Sequence, residues 1–252
     1  MFAEERRRKI VELLNEEDSK GVNELCNYFE VSPSTIRRDL QVLEKEGLVK
    51  RTHGGAVPLE DGMRFEPSFI EKEKEFPQEK KAIGRKAAEL VNNGETIILD
   101  AGTTTIQLAK ALKDHKELTI ITNATNIALE LAQEEHQIIL IGGTLKKTTL
   151  ATVGPVSEMN LNTFYVDKVF LGANGIHPKA GITTPDLVEA NTKRTMIERA
   201  ESVIVLADNS KFGEISFVSI SDLSKVDTII TNKGEGKSLV DQIKKEVKVI
   251  FA

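Results

Sequence analysis

The chain has 252 residues, 40% hydrophobic and 29% charged, enough for one large or two modest folded domains, which excludes a disordered polypeptide. A single cysteine and four scattered histidines exclude a disulfide framework and a thiolate zinc cluster, so neither a metal nor a cofactor is expected. The formal net charge of −5 argues against a protein that coats nucleic acid, and no apolar run reaches the roughly 18 residues of a membrane span.

The N-terminal stretch MFAEERRRKIVELL is charged and amphipathic, unlike a secretory signal, so a cytoplasmic protein with no membrane partner is expected. Its apolar residues Ile10, Val11, Leu13 and Leu14 share one helical face. A second helix over GVNELCNYF gathers Val22, Leu25, Tyr28 and Phe29, with Cys26 at an apolar position where packing explains it. A third, SPSTIRRDLQVLEKEG, gathers Ile36, Leu40 and Leu43; Ser32 caps it, Pro33 suits its first turn and Gly47 stops it. LVKRTHGGAVPL then reads as two short β segments around a His-Gly-Gly turn. Residues 3–58 are thus expected to form an α+β winged helix-turn-helix domain.

Residues 59–75 mix glycine, proline and charge without an apolar stripe and read as a linker; the alternative for their later half is a solvated helix of the next domain. From 76 to 252 the texture changes. The runs TIILD, LTIIT, QIILIGG, KVFLGANG, SVIVLAD, DTIITN and VKVIF are short, β-branched and nearly all apolar, as strands covered on both faces of a parallel sheet are. Helical patterns such as TTIQLAKAL, NIALELAQ and EANTKRTMIERA separate several of them, which predicts an α/β open sheet.

Two short helices joined by EVS form a helix-turn-helix pattern, in which the first turn of the second helix enters the DNA major groove. Ser32, Ser34, Thr35, Arg37 and Arg38 would then face base edges or phosphates, while Lys50, Arg51, His53, Gly54 and Gly55 would let the wing follow the backbone. The same pattern also fits a solvated three-helix cap with ordinary surface arginines.

In an open α/β sheet, ligands bind beyond the carboxyl ends of the strands. Those ends carry Asp100, Gly102, Thr103, Thr104 and Thr105; Thr122 and Asn123; Gly142 and Gly143; Gly172, Asn174 and Gly175; and Asp208 with Lys211. Glycine lets backbone approach an oxyanion and threonine adds donors, chemistry suited to a phosphate, yet the pattern is neither a P-loop nor a dinucleotide fingerprint. Asp100 would accept hydrogen bonds from sugar hydroxyls, or merely cap a helix. In GITTPDLVEANTKRTMI, Thr184 precedes a helix on which Glu189 and Lys193 lie four apart, a spacing equally typical of a surface ion pair. Asp100, Glu189 and Asp208 also admit a sugar-phosphate isomerase carrying a DNA-binding appendage. No acid or enediolate stabiliser is assignable beside them, so an enzyme is not expected.

VSPSTIRRDLQVLEKEGLVKRTHGGA resembles the helix-turn-helix of DeoR-family bacterial transcriptional regulators as one continuous run. LDAGTTT, TN, IGG, LGANGIHPKAGITTPDLVEANTK and VLADNSKFGEISF resemble, in order, the motifs of that family's C-terminal sensor domain, so the resemblance covers nearly the whole chain. It implies a sensor similar in fold to ribose 5-phosphate isomerase and coenzyme A transferases. It also implies operator DNA and a phosphorylated sugar as partners, and a homo-oligomer, dimer or tetramer, on repeated half-sites. NGIHPKAGITTPD looks most like the fructose-operon repressor branch, implying a repressor released by fructose 1-phosphate, with fructose 1,6-bisphosphate a further candidate.

Overall fold

The computed structural model describes residues 2–17, 19–46, 48–52, 54–58, 66–234 and 237–252, in two units, Met1–Pro67 and Ser68–Ala252. In the first, α1 (Ala3–Glu17), α2 (Val22–Phe29) and α3 (Pro33–Lys45) enclose a core of Ile10, Leu14, Leu25, Phe29, Ile36, Leu40 and Leu43. Each such side chain removed from water contributes about 1.5–3 kcal/mol against chain entropy. Tyr28, expected on the same face, is instead exposed, with its ring edge-on to Phe29 at 4.9 Å. Cys26 is half-buried at the margin of the cluster.

Strands β2 (Val49–Arg51) and β3 (Gly55–Pro58) form the expected antiparallel pair, and β1 (Lys20–Gly21), unforeseen, adds to β3. The helix start reads as the sequence implies: Pro33 occupies the first turn and Ser32 Oγ accepts from Thr35 N at 3.3 Å. Gly47, the expected stop, lies outside the described residues; α3 ends at Lys45 with Glu46 as its C-cap.

In the second unit, the stretch read as linker proves partly structured. Ser68 caps α4 (Phe69–Lys74) in a capping box with Glu71, and Phe69 is buried in the core of this unit. α5 (Pro77–Ala88) follows. The seven apolar runs become β4 (Thr96–Leu99), β5 (Thr119–Thr122), β6 (Gln137–Leu140), β9 (Val166–Gly172), β12 (Ala200–Leu206), β14 (Thr228–Thr231) and β15 (Lys248–Phe251). They make one parallel sheet in the order β15-β14-β12-β9-β4-β5-β6.

Alternation along each strand feeds two cores. Ile97, Leu99, Ile120, Ile204 and Leu206 pack on one face, and Ile98, Ile121, Val203 and Val205 on the other. Between the strands run α6 (Thr105–Ala111), α7 (Thr125–Leu131), α8 (Pro155–Leu161), α9 (Leu187–Glu198) and α10 (Lys237–Ile243). Gly84 permits the closest helix contact: a Cβ there would lie 2.5 Å from the backbone of Gln107, so α5 and α6 meet only because it is glycine.

Two small additions were not foreseen. β7 (Thr144–Lys146) and β8 (Ala151–Val153) form a hairpin, and β10 (Gly175–His177), β11 (Gly181–Thr184) and β13 (Val218–Ser221) form a three-stranded antiparallel sheet. The main sheet grows from β4 in both directions, so its switch point, where an open α/β sheet offers a ligand crevice, lies between β4 and β9.

Candidate functional site

In the N-terminal unit, Ser34, Arg37 and Arg38 are exposed near the start of α3 and Thr35 is half-buried. The Ser32 hydroxyl lies 2.8 Å from Ser34 Oγ and 2.9 Å from Thr35 Oγ1, so these side chains share one hydrogen-bonded corner. Asp39, which sequence reading passed over, fixes the helix: buried on α3, it accepts from Arg6 Nε at 2.6 Å and Arg7 Nε at 3.1 Å. α3 is thereby pinned to α1 with its arginine-bearing surface outward.

The wing divides the remaining candidates. Lys50 is half-buried, whereas Arg51 is tied to Glu44 of α3 at 3.0 Å. Gly54 is exposed and its carbonyl accepts from Val22 N at 2.6 Å. Gly55 is buried, and a Cβ there would fall 1.9 Å from Lys20 O; its lack of a side chain serves the β1–β3 pairing, not an approach to DNA. His53 lies outside the described residues.

In the second unit, a cleft partly open to solvent sits at the sheet's switch point. Gly102, Thr103 and Thr104 line it after β4, Gly172 and Asn174 after β9, and Asp208 and Lys211 after β12, with Glu189 and Lys193 reaching in from α9. Nine sequence candidates from four separate segments thus meet in one place.

Asp100 lies beneath them, fully buried. Its Oδ2 accepts from Lys193 Nζ and, at 2.9 Å, from Gly172 N. Lys193 Nζ also donates to Gly172 O at 3.3 Å and lies 3.8 Å from Glu189 Oε1. The Glu189–Lys193 pair is therefore buried, not the surface ion pair its spacing allowed. Asp100 joins β4, β9 and α9 instead of facing the open cleft.

Other candidates shape the walls without lining the cleft. Thr105 Oγ1 donates to Gly102 O at 3.0 Å, and Thr122 Oγ1 donates to Leu99 O at 2.6 Å. Asn123 bridges Ala101 N at 3.0 Å and Thr152 O at 3.1 Å, which sets the path of the chain after β4. Thr184 Oγ1 donates to Asn174 Oδ1 at 3.3 Å, Gly175 packs against Glu214, and Gly142 and Gly143 lie exposed in the turn leading to β7. Their glycine and threonine content is local architecture.

Sequence reading missed two lysines that line the cleft, Lys72 of α4 and Lys80 of α5. Both fall in the charged stretch KEKEFPQEKK, whose composition resembles any solvated surface; only the fold turns them inward. Lys80 is 3% exposed and its ammonium donates to Lys72 O. Burial lowers its pKa from the ordinary lysine value, opposed by the nearby Asp208 carboxylate. The cleft gathers four lysine ammonium groups, Lys72, Lys80, Lys193 and Lys211, beside the carboxylates of Glu189 and Asp208. This arrangement can take an anion at one pole and hydroxyl groups at the other. Of the carboxylates an isomerase would draw on, Asp100 is paired through Oδ2 with Lys193, Asp208 accepts from Ser210 N at 3.0 Å, and Glu189 lines the cleft.

Comparison with known proteins agrees with this architecture. Residues 6–61 match the DeoR-like helix-turn-helix domain and residues 75–233 the DeoR C terminal sensor domain. The chain is 40% identical over 251 residues to an uncharacterized HTH-type transcriptional regulator of Bacillus subtilis, FruR, covering 99% of each chain. It is 35% identical over 229 residues to the glycerol-3-phosphate regulon repressor of Escherichia coli, covering 90% of each. Among solved structures, ribose 5-phosphate isomerase A of Methanocaldococcus jannaschii aligns over 53% of each chain at 18% identity with a TM-score of 0.39. Both family models and both of these relatives are transcriptional regulators, and the chain belongs to the DeoR family of transcriptional regulators.

Proposed function

We propose that this chain represses a sugar-utilisation operon and leaves its operator when a phosphorylated sugar occupies the cleft. The observation that carries this reading is the convergence of four lysines with carboxylates and the Gly102–Thr104 turn at the sheet's switch point. The phosphate is held by Lys72, Lys80, Lys211 and the threonine turn, while Glu189, Asn174 and Asp208 accept or donate to sugar hydroxyls. Arg37 and Arg38, with Ser34 and Thr35, contact the operator from α3, and Lys50 follows the phosphate backbone. Residues 3–58 are so assigned to DNA, and residues 76–252, together with α4 and its Lys72, to the effector.

A 13-residue recognition helix reads too few base pairs for selectivity in a genome, so the working form is a dimer or tetramer on repeated half-sites. Release follows if the effector favours an arrangement of copies whose recognition helices no longer match the half-site spacing. A tenfold loss of DNA affinity needs a coupling of only about 1.4 kcal/mol, within reach of a few charge-assisted hydrogen bonds. Fructose 1-phosphate is the favoured effector because NGIHPKAGITTPD resembles the fructose-operon branch and the FruR relative matches from end to end.

The test is a mobility-shift titration of the cognate operator with fructose 1-phosphate, fructose 1,6-bisphosphate, glycerol 3-phosphate and inorganic phosphate in parallel. Fructose 1-phosphate alone should release the DNA. A complex unmoved by every sugar phosphate at saturation would end the effector reading, and release by a different one would correct the branch.

A further inference from the structure

We infer that Lys146, which no sequence motif marks and which does not line the cleft, positions Glu189 for the hydroxyl groups of the effector; the inference rests on the effector reading of the cleft. Lys146 ends β7, and the hairpin register sets it opposite Ala151 of the fully buried β8. From there its ammonium lies 2.9 Å from Glu189 Oε2 and 3.3 Å from Asp186 Oδ2. Asp186 in turn caps α9, accepting from Glu189 N at 2.8 Å. Asp186, Lys146 and Glu189 therefore close a ring around the first turn of α9.

The need for such a partner follows from burial. The Glu189 side chain is 4% exposed, against 18% for Lys146, and a carboxylate removed from water stays ionised only beside a counter-charge. Lys193 is a second cation near Glu189, but at 3.8 Å it is a longer contact than Lys146, and its ammonium is bound to Asp100 and Gly172 O. Lys146 is thus a close counter-ion. Glu189 lines the cleft, so by holding Oε2 Lys146 fixes the direction of the carboxylate that a sugar hydroxyl meets there. The phosphate is assigned instead to Lys72, Lys80 and Lys211.

The two poles separate the outcomes. The full-length chain and the variants Lys146→Met and Lys146→Arg are titrated by calorimetry with fructose 1-phosphate and with methyl phosphate, which has the charged head but no hydroxyl groups. Lys146→Met should weaken fructose 1-phosphate by about tenfold or more while leaving methyl phosphate unchanged, and Lys146→Arg should recover most of the loss. Unchanged sugar-phosphate affinity in Lys146→Met overturns the inference while the effector reading stands. An equal loss for both ligands also overturns it, since that is the mark of a merely loosened fold. A wild-type chain that binds no sugar phosphate overturns the effector reading and this inference with it.

Discussion

Replacing Asp100 by asparagine removes one charge and almost no volume from the base of the cleft. The side chain is fully buried, and its Oδ2 accepts from both Lys193 and Gly172 N. An amide oxygen still serves Gly172, but the Lys193 ammonium, itself 2% exposed, loses its close counter-ion. Breaking a buried pair from one side costs about 3–5 kcal/mol. Glu189, 3.8 Å from the same ammonium, offsets part of that, so the expected loss is about 3 kcal/mol. With a urea slope of about 2 kcal/mol/M, the midpoint of the larger unit should fall by about 1.5 M. The chain contains no tryptophan, so far-UV circular dichroism is the suitable probe. The double variant Asp100→Asn, Lys193→Met should regain most of the loss, because it buries no unmatched charge. A single-variant shift below about 0.3 M would refute the idea that this pair is a structural joint.

If the cleft holds a phosphate as proposed, Lys80 should make its binding pH-dependent. Burial lowers its pKa, and only the protonated form attracts phosphate, so affinity should be full at lower pH and decline on the alkaline side before an ordinary lysine would titrate. Lys80→Arg should flatten that decline, since arginine stays charged; identical profiles would sink the assignment. On the DNA side, Arg37→Ala and Arg38→Ala should each cost about 1–3 kcal/mol of operator binding, read by mobility shift, with effector affinity unchanged. Arg51→Ala should cost less, because Glu44 already holds that side chain; a larger loss than for Arg37 would reverse their ranking. Gly84→Ala should destabilise the larger unit by about 1–3 kcal/mol, since its Cβ meets the Gln107 backbone at 2.5 Å, and an unchanged midpoint would show that α5 and α6 separate freely.

Much of the architecture follows from periodicity alone. The seven runs that read as doubly covered strands are the seven strands of the parallel sheet, because a strand apolar on both sides has no stable place except between two layers. The three helices of the first unit were legible from stripes such as Ile36-Leu40-Leu43, and Ser32-Pro33 marked where the third begins. Short polar strand ends were harder to read. β7 and β8 are only three residues each, too short for alternation to show, and Phe69 anchors a charged stretch whose composition fits a linker as well as the solvated helix that was its alternative.

Local sequence thus determined the seven strands of the main sheet and the three helices of the first unit, and that glycines, threonines and charged groups collect at strand ends. It did not determine which ends face one another. Gly102, Gly172, Glu189 and Asp208 share a cleft because the chain crosses from β6 back to the far side of β4, and Thr122, Asn123 and Gly143, chemically no different, are left in the walls. Lys72, Lys80 and Lys146 look like surface lysines one residue at a time. Strand order and helix placement put two of them in the cleft and the third beside Glu189. A lysine's role depends on which charges the fold brings within a few ångströms, and that is a property of tertiary contact, not of the residue or its sequence neighbours.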